Sequence, residues 1–305
     1  MRRTLTHLKH LRAAAVRRFE GLALRAGYHS RPGFLIIGAQ KGGTTSLYFY
    51  LAEHPRIVPP KRKEIGFFTP ELFADWPEHP NHHILCAPGG SVFEHPSGCR
   101  RAVAWYHGHF PWPHRLPSGS LTFEATPDYL YYPAAARRIW EYDREMKLIV
   151  LLRDPVDRAF SAWQMYRGYG GYRPLIYAPK RETRSFEDAI RDEIEALEAG
   201  RRPPDPGYCG RGLYYEQLTR YFEYFDPRQI LILDSEYLRQ RTQDALGEVA
   251  AFLGLAEILP RAEWKPFHVG EYQSEIPAEC LSRLRDFYKP HNQRLYAMLD
   301  RDFGW

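Results

Sequence analysis

The feature that most constrains this chain is a short apolar run ending in a glycine loop, Phe34-Leu-Ile-Ile-Gly38 followed by Ala39-Gln-Lys41-Gly42-Gly43-Thr44-Thr45-Ser46. A run of this kind, apolar at every position and closed by glycine, reads as a parallel strand buried on both faces. Thr44 or Thr45 can cap the segment that follows, whose apolar positions Leu47, Tyr48, Leu51 and Ala52 suit a helix up to the break at His54-Pro55. Glycines between a strand and a helix start let backbone N–H groups converge on an anion, and the helix N-terminus adds its dipole. Lys41, Gly42, Gly43, Thr44, Thr45 and Ser46 together therefore read as a phosphate loop.

The loop departs from the nucleoside-triphosphatase pattern, because GxxxxGK[ST] read from Gly38 and Gly43 requires lysine where Thr44 stands. The lysine comes early, at Lys41, where it can meet the bridging oxygen of a phosphosulfate. A second strand, Lys147-Leu-Ile-Val-Leu-Leu152, passes through Arg153-Asp154-Pro155 into a helical pattern with Ala159, Phe160, Ala162 and Trp163. A third, Gln229-Ile-Leu-Ile-Leu233, follows a helix carrying Leu218, Tyr221, Phe222 and Phe225. Strands separated by helices imply a P-loop-like α/β fold of three layers, a central parallel sheet with helices on both faces. At the carboxyl edge of such a sheet Arg153 and Ser161 lie beside the glycine loop, and an arginine with a serine suits a second, separate phosphate. Pro- and Gly-rich stretches at 80–120, 168–184 and 201–206 read as long surface loops.

Charge is uneven along the chain. Residues 1–31 carry eight Arg or Lys against Glu20, so a net charge of +5 overall leaves residues 32–305 slightly acidic. That argues against a general nucleic-acid binder and predicts a basic arm, 1–31, on a single domain, 32–305. Leu8, Leu11, Ala15, Phe19 and Leu22 recur at helical spacing among the arginines, so the arm suits peripheral contact with an anionic membrane or docking on its own domain. No apolar leader and no apolar run of about eighteen residues appears, which predicts a cytoplasmic location. Cys86, Cys99, Cys209 and Cys280 have neither CxxC spacing nor histidine partners, so no metal is expected, and only Cys86 and Cys99 could close a short disulfide loop.

On these segments the chain resembles the PAPS-dependent sulfotransferase superfamily, in particular the branch of the heparan sulfate sulfotransferases and their bacterial relatives. The matching residues run in family order: Phe34 to Thr44, Lys63-Glu-Ile-Gly-Phe-Phe68, Trp105-Tyr106, Phe123-Glu-Ala-Thr-Pro-Asp-Tyr129, Arg153 to Ser161, Arg211-Gly-Leu-Tyr214 and Arg301-Asp-Phe-Gly-Trp305. The resemblance implies that Lys41 to Ser46 cradle the 5′-phosphosulfate of 3′-phosphoadenosine-5′-phosphosulfate (PAPS), and that Arg153 and Ser161 hold its 3′-phosphate. It implies Glu64 as general base for an acceptor hydroxyl, on a carbohydrate or glycolipid, and Lys41 as the cation on the departing phosphate oxygen. It also implies that Arg211 contacts a donor phosphate or the acceptor, which puts it among the cofactor-binding residues. Read without the resemblance, Glu64 among Lys61, Arg62 and Lys63 is an ordinary surface ion-pair residue.

The chain also departs from the heparan sulfate branch. Ala125 stands where the 3-O-sulfotransferases carry a lysine, and Val269-Gly270-Glu271 replaces a basic Lys-Gly-Arg turn. His107 and His109, beside Trp105 and Tyr106, read as solvated loop histidines that could serve as alternative bases. Trp105, Tyr106, Trp112, Tyr129 and Tyr132 suit either sugar stacking or the core. Two other functions stay open at this level: a P-loop small-molecule kinase, disfavoured by the early lysine, and a nucleotide- or glycan-binding relative without turnover.

Overall fold

The computed structural model describes residues 22, 27–74, 86–87, 90–91, 96–168, 182–201, 203, 206–255, 264–265 and 275–305. The arm expected at 1–31 falls largely outside these residues, as do the Val269-Gly270-Glu271 turn and the side chains of Cys86 and Cys99. The elements that carry the fold are β1 (Phe34–Gly38), α1 (Thr44–Ala52), β2 (Ile57–Val58), α2 (Pro96–His107), β3 (Leu121–Ala125), α3 (Ala135–Tyr142) and β4 (Lys147–Leu152). They continue with α4 (Pro155–Gly168), α5 (Phe186–Glu198), α6 (Tyr214–Phe222), β5 (Ile230–Asp234), α7 (Thr242–Leu253) and α8 (Ala278–Leu299).

The five strands form one sheet in the order β2-β3-β1-β4-β5, every pairing parallel. Parallel neighbours need crossover connections, and the helices that make them cover both faces. Alternation along β1 sorts the two layers. Leu35 and Ile37 pack with Leu148, Val150 and Leu152 of β4 against Ala102 and Tyr106 of α2, Ile139 of α3 and Leu218 and Tyr221 of α6. Phe34 and Ile36 pack with Ile149 and Leu151 against Leu47 and Leu51 of α1 and Leu246 and Val249 of α7. A third cluster joins Phe160 and Trp163 of α4, Ile190 and Ile194 of α5 and Leu284 and Tyr288 of α8. The expected three-layer arrangement is the one observed.

Three local expectations need correction. The cap of α1 is Gly43, at φ 93° and ψ 11°, and Thr44 is already helical. The stretch 80–120 is not loop throughout, since α2 occupies Pro96–His107. Directly after it lies β3, a strand whose Thr122, Glu124 and Thr126 surroundings hide its apolar character; it pairs with β1 in register Phe34 to Phe123. Gln229 belongs to a single 3₁₀ turn before β5, where its Nε2 donates to the Arg144 carbonyl at 2.9 Å.

The β1–β4 pairing sets the position of the glycine loop. Its register shifts between Ile36 and Gly38, and the Ala39 N–H donates to the Leu151 carbonyl at 2.7 Å. The loop backbone then runs so close to β4 that a Cβ at Gly42 would stand 2.6 Å from the Leu151 oxygen, inside any tolerable contact. Gly42→Ala should therefore destabilise the protein by about 1–3 kcal/mol, read as a lower midpoint in urea unfolding. A midpoint equal to that of the unsubstituted chain would show that the loop does not press on β4.

Candidate active site

Two strand ends meet at the carboxyl edge of the sheet. The first leaves β1 through Lys41 into α1, where the first-turn amides, Thr44 and Thr45 among them, lack intrahelical acceptors. The second leaves β4 through Arg153 into α4. Here Asp154 Oδ1 accepts the Val156 N–H at 2.8 Å and Pro155 is the first helical residue, so the turn is fixed by an N-cap with a proline behind it. Two further turns of helix bring in Ser161, which is buried. Arg153 Nη1 donates to the Lys41 carbonyl at 3.2 Å, which ties the two strand ends together. The Arg153 carbonyl in turn accepts from the Tyr214 hydroxyl at 2.9 Å. Ser235, beyond the end of β5, faces Gly43, its Oγ 3.6 Å from where a Cβ would be.

The groups at this edge are also coupled electrostatically. Burial first, then the charges of Arg153 and Arg158, push the Lys41 ammonium down to about 8 from an ordinary lysine value of 10.5, while Glu64 works against them. Lys41 and Glu64 thus lie within electrostatic reach although they are far apart in sequence. Both also hold left-handed backbone, at φ 67° and 59°, which only three non-glycine residues adopt among those described. Such a conformation costs on the order of 1 kcal/mol each and persists where surrounding contacts impose it.

The contacts at Glu64 are visible. Its N–H donates to the Ala125 carbonyl at 3.1 Å, its carboxylate pairs with Lys63, and Arg62 feels its charge. Ala125 is itself fully buried, so the position that carries lysine in the resembling branch contributes only backbone here. Two residues on, the Gly66 N–H donates to Thr126 Oγ1 at 3.2 Å and to Glu124 Oε1 at 3.3 Å. Glu124 is fully buried and accepts from the hydroxyls of Tyr106 at 2.7 Å, Tyr129 at 2.7 Å and Thr126 at 2.5 Å. Burial pushes its carboxyl up, and the hydroxyls oppose the shift. This network anchors the Glu64 segment to β3. Sequence reading did not single it out, because a Glu between apolar residues and two distant tyrosines leave no periodic signal.

Other expected residues are placed as follows. Arg211 is buried, with Nη1 2.6 Å from Asp128 Oδ1 and its guanidinium 4.3 Å from the Tyr131 ring centroid. Asp128 in turn lies within electrostatic reach of Glu64 and Lys63, so this ion pair borders the Glu64 side of the site. His107 and His109 are not solvated loop residues. His107 ends α2, packs on His29 with ring centroids 3.9 Å apart and lies 2.7 Å from the Tyr142 hydroxyl. Burial drives it down to about 3, and burial with Arg62 and Lys61 drives His109 down to about 4. Tyr106 and Tyr129 are core residues, while Trp105 and Tyr132 are only partly buried at its edge. Cys209 and Cys280 are free and buried. Among the described residues no group of three or more His, Cys, Asp or Glu is placed to hold a metal ion, and no helix is long and apolar enough to cross a membrane.

Residues 132–265 match the sulfotransferase domain family. The chain is 30% identical over 306 residues to heparan sulfate glucosamine 3-O-sulfotransferase 3A1 of Mus musculus, an alignment covering 93% of this chain and 67% of that protein. The chain belongs to the sulfotransferase family. A second member, the membrane-associated sulfotransferase kil1 of Dictyostelium discoideum, is 25% identical over 341 residues, covering 90% of this chain and 66% of that protein. A solved sulfotransferase from Alicyclobacillus acidocaldarius has the same fold, with a TM-score of 0.63 at 28% identity over 90% of this chain and 98% of that one. The chain spans just under two thirds of the length of several curated relatives, 64% for the human 3A1 protein.

Within this chain, removing one hydroxyl from the Glu124 network leaves a buried carboxylate short of a donor. Tyr106→Phe should cost about 1–3 kcal/mol, measured by urea unfolding, with little change in the secondary-structure signal. A loss below about 0.5 kcal/mol would show that Glu124 is satisfied without Tyr106.

Proposed function

We propose that this chain transfers the sulfuryl group of PAPS to a hydroxyl of a carbohydrate acceptor by in-line displacement. The observation that carries the reading is that Lys41 and Glu64, each in a left-handed conformation, lie within electrostatic reach of one another at the carboxyl edge of the sheet. The loop fits an anion such as the phosphosulfate. It has a glycine whose Cβ would collide with β4, first-turn amides open at a helix start, and a lysine whose charge repels the nearby arginines. Lys41, Gly42, Gly43, Thr44, Thr45 and Ser46 hold the phosphosulfate, and Arg153 with Ser161 takes the 3′-phosphate.

Glu64 accepts the proton of the acceptor hydroxyl as that oxygen bonds to sulfur. The bond from sulfur to the bridging phosphate oxygen breaks, and Lys41 balances the charge left on that oxygen. Lys63 contacts Glu64 and supplies a cation on the acceptor side, where Ala125 has none. Arg211, committed to Asp128, acts as a brace for this side. Relatives named for heparan sulfate glucosamine 3-O-sulfation support a sugar hydroxyl as acceptor.

Calorimetric titration with 3′-phosphoadenosine-5′-phosphate (PAP), beside ADP and ATP, tests the donor. Clear preference for PAP is expected, and preference for ATP would replace this reading with a kinase. In the same titration Glu64→Gln should keep PAP affinity within about twofold, while in a separate activity assay sulfuryl transfer from labelled PAPS falls by about 100-fold or more. Persistent transfer would remove Glu64 from the base role.

The lowered Lys41 value gives a pH signature with a definite sign. Its ammonium is present below pH about 8 and is lost as pH rises through that value, and a bound anion favours the charged form. PAP binding at pH ~8.5 should therefore take up more than about half a proton, measured in buffers of different ionisation enthalpy. Affinity should weaken as pH rises further, and Lys41→Met should abolish the uptake. Proton release, or uptake unchanged in Lys41→Met, would contradict the placement of Lys41 on the anion.

A further inference from the structure

The donor reading leaves one conspicuous group unused. Arg158 lies on α4 between Arg153 and Ser161, and its side chain is fully buried. Nη2 donates to the Tyr208 carbonyl, whereas Nε and Nη1 are buried with no partner. The buried carboxylate of Glu193 feels its charge, yet Glu193 Oε1 accepts the Gly210 N–H at 2.8 Å and makes no ion pair with Arg158. A buried guanidinium with two unanswered donors is strongly unfavourable unless an anion comes to balance it.

Its position says which anion. Residues three apart share a helix face, so Arg158 stands one turn behind Ser161 on the side turned into the protein. The same charge reaches Lys41, so Arg158 lies behind the junction of the glycine loop and α4. Val269-Gly270-Glu271, which stands where the resembling branch has a basic turn, brings no cation of its own. We propose that Arg158 is a positioning residue for the donor's 3′-phosphate, its buried charge balancing that group from behind Ser161. The proposal rests on the donor reading above and assigns a specific source for the selectivity of that site.

PAP and AMP differ only by the 3′-phosphate, so the ratio of their affinities isolates the effect. In Arg158→Met, PAP affinity should fall about tenfold or more while AMP affinity changes less than about twofold, and Arg158→Lys should recover part of the loss. Equal losses for the two ligands would reduce Arg158 to a prop for the Tyr208 carbonyl and overturn the proposal. If Arg158→Met does not fold, Arg158→Lys decides: a PAP-to-AMP ratio below that of the unsubstituted chain supports the role, and an unchanged ratio overturns it. An unsubstituted chain with no preference for PAP over AMP removes the donor reading and this role together. A preference that both variants retain removes the role alone.

Discussion

The hydrogen bond from Ala39 to the Leu151 carbonyl, 2.7 Å long, holds the glycine loop against the end of β4, and the rest of the site is built outward from it. Because the two strands run parallel, their carboxyl ends finish at the same edge, and each is followed at once by a helix. The loop must lie flat on β4 to make this contact, which explains why Gly42 has no room for a side chain. The Arg153 guanidinium bonded to the Lys41 carbonyl then completes a rigid corner.

That corner concentrates positive charge before any ligand is considered. Burial of the Lys41 ammonium, and after it the charges of Arg153 and Arg158, produce the lowered Lys41 value. Such an arrangement is unfavourable by itself and favourable around an anion, which is the sense in which a transferase site is preorganised. Opposite it, Glu64 is not left to its own conformational preference. The Ala125 carbonyl and the Glu124 network, acting through Gly66, hold the backbone on either side. The carboxylate, paired with Lys63, thereby lies within electrostatic reach of Lys41.

Much of the frame was legible in the residues. The strands at 34–38 and 147–152 are apolar at nearly every position, a pattern only a sheet covered on both faces uses. Asp154-Pro155 announced a helix start, and the glycines before Thr44 announced an anion loop. β3 was missed because its Thr and Glu residues look polar in a line, and their burial depends on tyrosines supplied by α2 and by the turn after β3. His107 and His109 were misjudged for the same reason: a short, proline-rich neighbourhood looks exposed, but α2 carries His107 against Tyr142 of α3 and His29, and His109 lies against Trp105 with Lys61 and Arg62 nearby.

The sequence by itself determined the local units, strand then loop then helix, and the chemical type of the groups at each loop, since backbone propensity and hydrophobic pattern act over neighbouring residues. Only the tertiary structure decided which groups face one another. Lys41 comes within electrostatic reach of Glu64, Arg211 pairs with Asp128 and Arg158 donates to the Tyr208 carbonyl because the packed crossovers bring distant segments together. Burial sets how strongly those charges interact, and burial is a property of the packed layers, which no stretch of sequence carries alone.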